Sequence, residues 1–369
     1  MCLKAAASSH SEVPTPDSSE HGGNIYKIAA ELGLPEDTVI DFSASINPLG
    51  VSKKVKETIR KGMEGLVNYP DPDTSMLRQK IAERHDIDPG TILCGNGSTE
   101  LIYLIPRALK QERVLIPGPT FSEYERACRL SQGSRVKRYE LKENNKFQFH
   151  IDSFISAIQG CDIAFLCNPN NPTGTLLQRE EISEIADAAG KQRCYLVVDE
   201  AFIDFSPEES VIHEVKDNPY LIVLRSMTKF HALTGLRIGY AVFHKNLLRR
   251  VREFKEPWTV NSLAQMAAIT ALDDGDYIKR TYRVITREKR YIEKCLGKFG
   301  ATFFLSAANY YLLKVDDARG LVGRLRNKGI LVRDCSNFRG LNNSYIRIAV
   351  KSRKHNEMLM KELSELCRG

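Results

Sequence analysis

Residues 221–229 read LIVLRSMTK. Leu221-Ile222-Val223-Leu224 is an unbroken apolar run, and Arg225, Ser226, Thr228 and Lys229 follow at once. A short apolar run without alternation suits a strand buried on both faces, as in parallel sheets covered by helices. Three upstream segments repeat the pattern. Val114-Leu115-Ile116 is closed by Pro117-Gly118-Pro119, and Ile163-Ala164-Phe165-Leu166 by the turn-rich NPNNPTG at 168–174. Tyr195-Leu196-Val197-Val198 ends at Asp199. With helical patterns at 178–189 and 246–255, the expected fold is α/β with a mostly parallel central sheet. Ligands in such sheets bind beyond the carboxyl ends of the strands, where these polar residues stand.

Past about residue 275 the pattern changes. A charged helix at 278–297 leads to an expected strand at 310–315, a helix at 318–327, strands at 330–333 and 345–350, and a final helix. That reads as a smaller α+β domain over 275–369, following a large domain over 51–274. A length of 369 residues agrees with about two domains. Residues 21–50 are expected to pack on the small domain and the active site. Residues 1–20 are rich in Ser, Pro and charge and read as a disordered tail.

The net charge of +7 is spread along the chain. Its densest runs, Lys53-Lys54-Lys56 and Arg249-Arg250-Arg252, read as solvated helix faces rather than a nucleic-acid surface. A mild positive excess suits a small anionic substrate. The nine cysteines form no CxxC pair, so reduced thiols are expected and no metal site. No apolar run approaches the roughly 18 residues of a membrane span, and no signal peptide is visible. The expectation is a soluble, cytoplasmic protein.

Four motifs carry chemistry. Lys229 stands just beyond a buried strand, where burial or nearby positive charge lowers an amine pKa and makes it nucleophilic. Taken alone, such a lysine is usually a surface residue. Arg237, in Gly235-Leu236-Arg237-Ile238-Gly239, offers a fork suited to phosphate. Asp199 could hold a pyridine nitrogen protonated, and Asn171 offers an amide to a ring oxygen. Gly97, Ser98 and Thr99 precede an apolar helix whose first N–H groups attract phosphate.

Asn171, Asp199, Lys229 and Arg237 stand in the order and local contexts of the fold-type I pyridoxal-phosphate aminotransferases, and SMTKFHALTGLRIGY at 226–240 resembles their cofactor-lysine segment. The resemblance covers nearly all of the chain after residue 20. It implies pyridoxal 5'-phosphate held by Lys229 as a Schiff base. It also implies Ser226 and Arg237 beside Gly97, Ser98 and Thr99 on the cofactor phosphate, and Phe121 stacked on the ring. Tyr69 would reach the phosphate of a neighbouring subunit, giving a homodimer with shared active sites. Arg347 would bind the substrate carboxylate. One departure stands out: Phe202 occupies a position where many members carry a tyrosine that bonds the ring oxygen.

Within the family, HGGN at 21–24, DFSASINPLG at 41–50 and the segment 199–205 resemble the threonine-phosphate decarboxylases of cobalamin biosynthesis. Histidinol-phosphate aminotransferases are the next subfamily. The first resemblance implies decarboxylation of O-phospho-L-threonine, a phosphorylated amino acid. Arg333, Arg347 and Asn171 would hold the substrate, with His21, Ser45 and Asn47 at its phosphate. Three alternatives stay open: transamination of histidinol phosphate, decarboxylation of O-phospho-L-serine, and a non-catalytic binding protein of the same fold.

Overall fold

The computed structural model describes residues 21–366, so the tail expected over 1–20 lies outside the described residues. The first strand, β1 (Ile40–Asp41), precedes a seven-stranded sheet. Its strands are β2 (Ile92–Asn96), β3 (Arg113–Gly118), β4 (Arg135–Glu140), β5 (Ile163–Cys167), β6 (Tyr195–Asp199), β7 (Leu221–Ser226) and β8 (Ile238–Phe243). They lie in the order β2-β8-β7-β6-β5-β3-β4. β8 runs antiparallel to both of its neighbours, and the remaining pairs are parallel.

The absence of alternation in the apolar runs has a direct structural cause. Ala164, Leu166, Leu196, Val198, Leu221 and Val223 join the core on one face of the sheet. Ile163, Phe165, Val197, Ile222 and Leu224 join the core on the other. Each side chain removed from water contributes about 1.5–3 kcal/mol, so both faces favour apolar residues. Polar residues are confined to the strand ends. Cys167, Asp199 and Ser226 therefore come out at one edge of the sheet, with Asn96 at the end of β2 and Arg237 just before β8.

Beyond the helix Gly275–Lys298 come β9 (Phe303–Phe304), β10 (Tyr310–Lys314), β11 (Ile330–Leu331), β12 (Arg333–Asp334) and β13 (Tyr345–Ala349). Four of them form an antiparallel sheet in the order β12-β13-β10-β9. The single strand expected over 330–333 divides in two. β11 pairs in parallel with β1, and after Val332 the chain changes partner to β13. The N-terminal segment is fastened at the same place. Phe42 is buried in the core beneath this sheet, its N–H donates to the Leu331 carbonyl, and its carbonyl accepts from Ala349.

The strands β2, β4 and β8 were not expected. The sequence of β4, RVKRYE, is polar and half-exposed because it forms the edge of the sheet. Among the described residues, no helix is long and apolar enough to cross a membrane, and no cluster of His, Cys, Asp or Glu could hold a metal ion.

At the end of β7, Arg225 is buried beside a buried carboxylate. Its Nη1 donates to Glu200 Oε2 at 3.0 Å, while Glu200 Oε1 accepts the Val211 N–H at 2.9 Å. The second guanidinium nitrogen bonds Asp204. This pair anchors the loop after β6 to the end of β7, four residues before Lys229. Arg225→Met should strand the Glu200 charge and cost about 3–5 kcal/mol of stability. Chemical denaturation should show a lower midpoint, and an unchanged midpoint would disprove the anchoring role.

Candidate active site

The strand ends open onto a cavity of about 260 Å³. Lys229, Asp199, Asn171, Ser226 and Arg237 all line it, as do Ser98, Thr99 and Phe121. His21, Ser45, Arg333 and Arg347 line its other side. A larger and more open groove of about 610 Å³ follows the helix Gly275–Lys298, but none of these residues borders it.

Lys229 is half-buried, and its Nζ stands 5.9 Å from the centre of the Phe202 ring. Burial lowers its pKa to about 8, and the positive charges of Arg347 and Arg237 add to the effect. The negative charge of Asp199 opposes it. Near neutral pH a useful fraction of the amine is thus uncharged and nucleophilic.

Asp199 is buried, which pushes its carboxyl up; bonds from Tyr124 and Ala201 and the charge of Lys229 resist that. The Tyr124 hydroxyl donates to Oδ2 at 2.7 Å and the Ala201 N–H to Oδ1 at 2.9 Å. A cationic partner in the cavity would hold Asp199 as a carboxylate.

One end of the cavity is shaped for an anion. Gly97 has φ +75°, and a β-carbon there would lie 2.6 Å from Arg237 Nη2. A β-carbon on Gly239 would lie 2.5 Å from the Ser98 nitrogen. Close approach of backbone and guanidinium needs glycine at both positions. The helix Gly97–Leu109 points its free N–H groups here, and the Ser226 and Thr228 hydroxyls stand 2.8 Å apart at the same end. This cradle, the half-buried Phe121, Asp199 and Lys229 fit pyridoxal phosphate.

The opposite wall holds two guanidiniums. Arg333 on β12 and Arg347 on β13 are directly paired across the strands, with exposures of 9% and 7%. Arg347 donates to the Asn171 side-chain oxygen, and at 2.8 Å to the Ser43 carbonyl. Arg333 Nη2 donates to Asn337 Oδ1 at 2.8 Å, and its guanidinium lies over the Phe338 ring. Like charges directly opposite on neighbouring strands are destabilising. Two of them facing one cavity suit a ligand with negative charge. Among the described residues, Arg347 Nε and the Ser45 hydroxyl are buried without a hydrogen-bond partner.

Two expected residues lie elsewhere. Asn47 does not line the cavity. Its amide nitrogen donates to the Phe230 carbonyl and the Thr281 hydroxyl, and its oxygen accepts the Leu49 N–H. Both amide protons are used within the protein, and Asn47 stands outside the cavity lining, which corrects its expected place there. It serves instead behind Lys229, whose carbonyl accepts the Asn47 N–H at 3.0 Å. Tyr69 is 83% exposed, with its ring 5.2 Å from that of Trp258, outside this chain's cavity. Tyr124, Ser43 and Thr228 reach the site without having been singled out. For Tyr124 the available signal was its place three residues after Phe121, in the first turn of the helix Glu123–Gln132.

The aminotransferase class I and II family matches residues 37–363. The threonine-phosphate decarboxylase of Salmonella typhimurium is 39% identical over 356 residues, covering 95% of this chain and 97% of the relative. Among solved structures, the L-threonine-O-3-phosphate decarboxylase of Porphyromonas gingivalis superposes with a TM-score of 0.80 at 31% identity, covering 90% of this chain and 100% of the other. The histidinol-phosphate aminotransferase of Clostridium acetobutylicum does so with a TM-score of 0.84 at 32% identity, covering 89% and 99%.

Borohydride reduction of the holoenzyme should fix pyridoxal phosphate on the peptide containing Lys229, and Lys229→Ala should abolish trapping. Because the amine pKa is lowered to about 8, the rate of cofactor capture by apoenzyme should rise with pH and level off above about 8 as the amine loses its proton. A rate still climbing steeply at pH 10 would contradict that value.

Proposed function

We propose, on the premise that this chain belongs to the class I and II aminotransferase family, that it is a pyridoxal-phosphate-dependent lyase. Its substrate on this reading is O-phospho-L-threonine, and its product is (R)-1-aminopropan-2-yl phosphate for cobalamin biosynthesis. The observation that carries the reading is the in-register pair Arg333 and Arg347 on the cavity wall facing the strand ends. A phosphorylated amino acid brings two anionic groups to two guanidiniums. The similarity to the threonine-phosphate decarboxylases of Salmonella and Porphyromonas supports the same choice.

Pyridoxal phosphate, when bound, supplies a ring that delocalises the electron pair left at Cα when a bond to that carbon breaks. The chain's residues do the rest. Ser98, Thr99, Ser226 and Arg237 would hold the cofactor phosphate, Phe121 would cover a ring face, and Asp199 would hold the ring nitrogen protonated. Arg347 takes the substrate carboxylate, with Asn171 bonded to the same guanidinium. Clamping both ends of the substrate fixes which Cα bond stands perpendicular to the ring. Loss of CO₂ requires one proton to be returned to Cα, and on this reading Lys229 Nζ, lining the same cavity, would carry it.

Phe202 fits this assignment. It offers no hydrogen bond to the cofactor's ring oxygen. The neighbouring phenol, Tyr310, is in edge-to-face contact with Phe202 at 5.0 Å, but its hydroxyl donates to the Asn170 carbonyl at 2.7 Å. No hydroxyl takes the missing place from that side.

We also propose a homodimer. Met63, Leu66, Val67, Tyr69, Met76 and Trp258 are all exposed. Exposed apolar surface of this kind marks a contact face, and twofold pairing is the commonest way to cover one. Sedimentation should show a dimer at assay concentration. An active monomer would overturn this assignment.

The enzyme should release CO₂ from O-phospho-L-threonine without a keto-acid acceptor. Arg347→Ala and Arg333→Ala should each lower kcat/KM by about 10²-fold or more, since a charged partner is lost and the scissile bond is misaligned. O-phospho-L-serine should be discriminated by only about 10–200-fold, because it lacks a single methyl group. Conversion of histidinol phosphate with 2-oxoglutarate, without CO₂ release from either phospho-amino acid, would replace this reading with transamination.

A further inference from the structure

The N-terminal segment meets the large domain at a buried carboxylate. Glu123 begins the helix Glu123–Gln132, two residues after Phe121, and is only 4% exposed. Its Oε1 lies 2.9 Å from His21 Nε2, and its Oε2 accepts the Tyr103 hydroxyl. Arg126 Nη1 stands 3.6 Å from the same Oε2. The bond from His21 is foremost among the interactions that hold the Glu123 carboxyl below its usual range against burial. Glu123 is therefore a buried anion, and such groups persist only with partners.

The backbone beside His21 is built for this reach. A β-carbon on Gly22 would come within 2.5 Å of the Ser43 carbonyl oxygen. Gly23 has φ +93°, a left-handed conformation that favours glycine, and its N–H donates to the Ser43 hydroxyl at 2.8 Å. The Ser43 carbonyl also accepts from Arg347 Nη2. The two glycines let the chain lie flat on the loop that Arg347 holds, which carries the imidazole across to Glu123. His21 stays partly exposed and lines the same cavity as Arg333, Arg347 and Ser45.

We propose, resting on the decarboxylase reading above, that Glu123 is a positioning residue that holds His21 at the cavity wall to bind the phosphate of the substrate. Glu123 does not line the cavity. With Nε2 tethered to the carboxylate, Nδ1 is the ring nitrogen left for the phosphate. A purely structural Glu123 would matter equally for every ligand of the site, whereas a positioning Glu123 matters only for ligands that carry a phosphate.

The test compares dissociation constants of O-phospho-L-threonine and L-threonine, read from the change in cofactor absorbance of the holoenzyme. It uses wild type, Glu123→Ala, His21→Ala and the double variant. Each single variant should weaken O-phospho-L-threonine by about 10–100-fold, the scale of a charge-assisted hydrogen bond. L-threonine should change by about twofold or less. The double variant should be no weaker than His21→Ala alone, because Glu123 acts through His21. Equal losses for both ligands, or losses that add in the double variant, overturn the proposal. If Glu123→Ala does not fold, the isosteric Glu123→Gln is read in the same way. CO₂ release from the same samples separates the two readings. Wild type that prefers the phosphorylated ligand but releases no CO₂ sinks the decarboxylase assignment and leaves Glu123 in place. Wild type with no preference for the phosphorylated ligand sinks the positioning role.

Discussion

Strands β5, β6 and β7 are covered on both faces, so a polar side chain along their length would find neither water nor a partner. That burial pushes every polar group to the strand ends. Cys167, Asp199 and Ser226 come out at one edge because the three strands are parallel and in register. The antiparallel β8 begins at that same edge, which brings Arg237 beside Gly97 and the first turn of a helix. A cofactor site follows from sheet packing before any catalytic residue is considered.

The second constraint is electrostatic. Arg333 and Arg347 face each other on adjacent strands, and Arg347 spends its bonds on an amide oxygen and a backbone carbonyl rather than a carboxylate. Two positive charges on one wall favour a negative partner between them. The same positive charges help to lower the Lys229 pKa. One feature thus shapes both the charge of the wall and the readiness of the amine.

The small sheet and the N-terminal segment work as one wall. Phe42 is fixed between Leu331 and Ala349, and the turn after it presents Ser43 and Ser45 to the cavity. Gly22 and Gly23 lie against Ser43, and His21 crosses to Glu123 on the large domain. The wall bearing Arg333 and Arg347 is assembled from separate stretches of chain, while the wall around Lys229 is assembled from strand ends of a single sheet.

This division explains what could be read from the residues. Apolar runs closed by polar turns identified the parallel strands and their active edge, because burial on both faces leaves a local signature. The strands 92–96, 135–140 and 238–243 were not identified: 135–140 is half-exposed at the sheet edge, while 92–96 and 238–243 run into segments that read as ligand motifs, 95–100 and 235–239. Lys229, Asp199, Asn171, Ser226 and Arg237 were legible because each lies within a few residues of a strand end. Asn47 was misassigned because its partners, Phe230 and Thr281, are about two hundred residues away. Tyr124, Ser43 and Glu123 went unseen for a related reason. Their importance lies in partners such as Asp199, Arg347 and His21, and no local pattern reports a contact made across the fold. The sequence by itself determined the architecture and the chemistry at the strand ends, because local burial and turn formation dictate both. Only the tertiary structure decided which distant polar groups meet, because hydrogen-bond pairing between separate segments depends on where the packed sheets bring them.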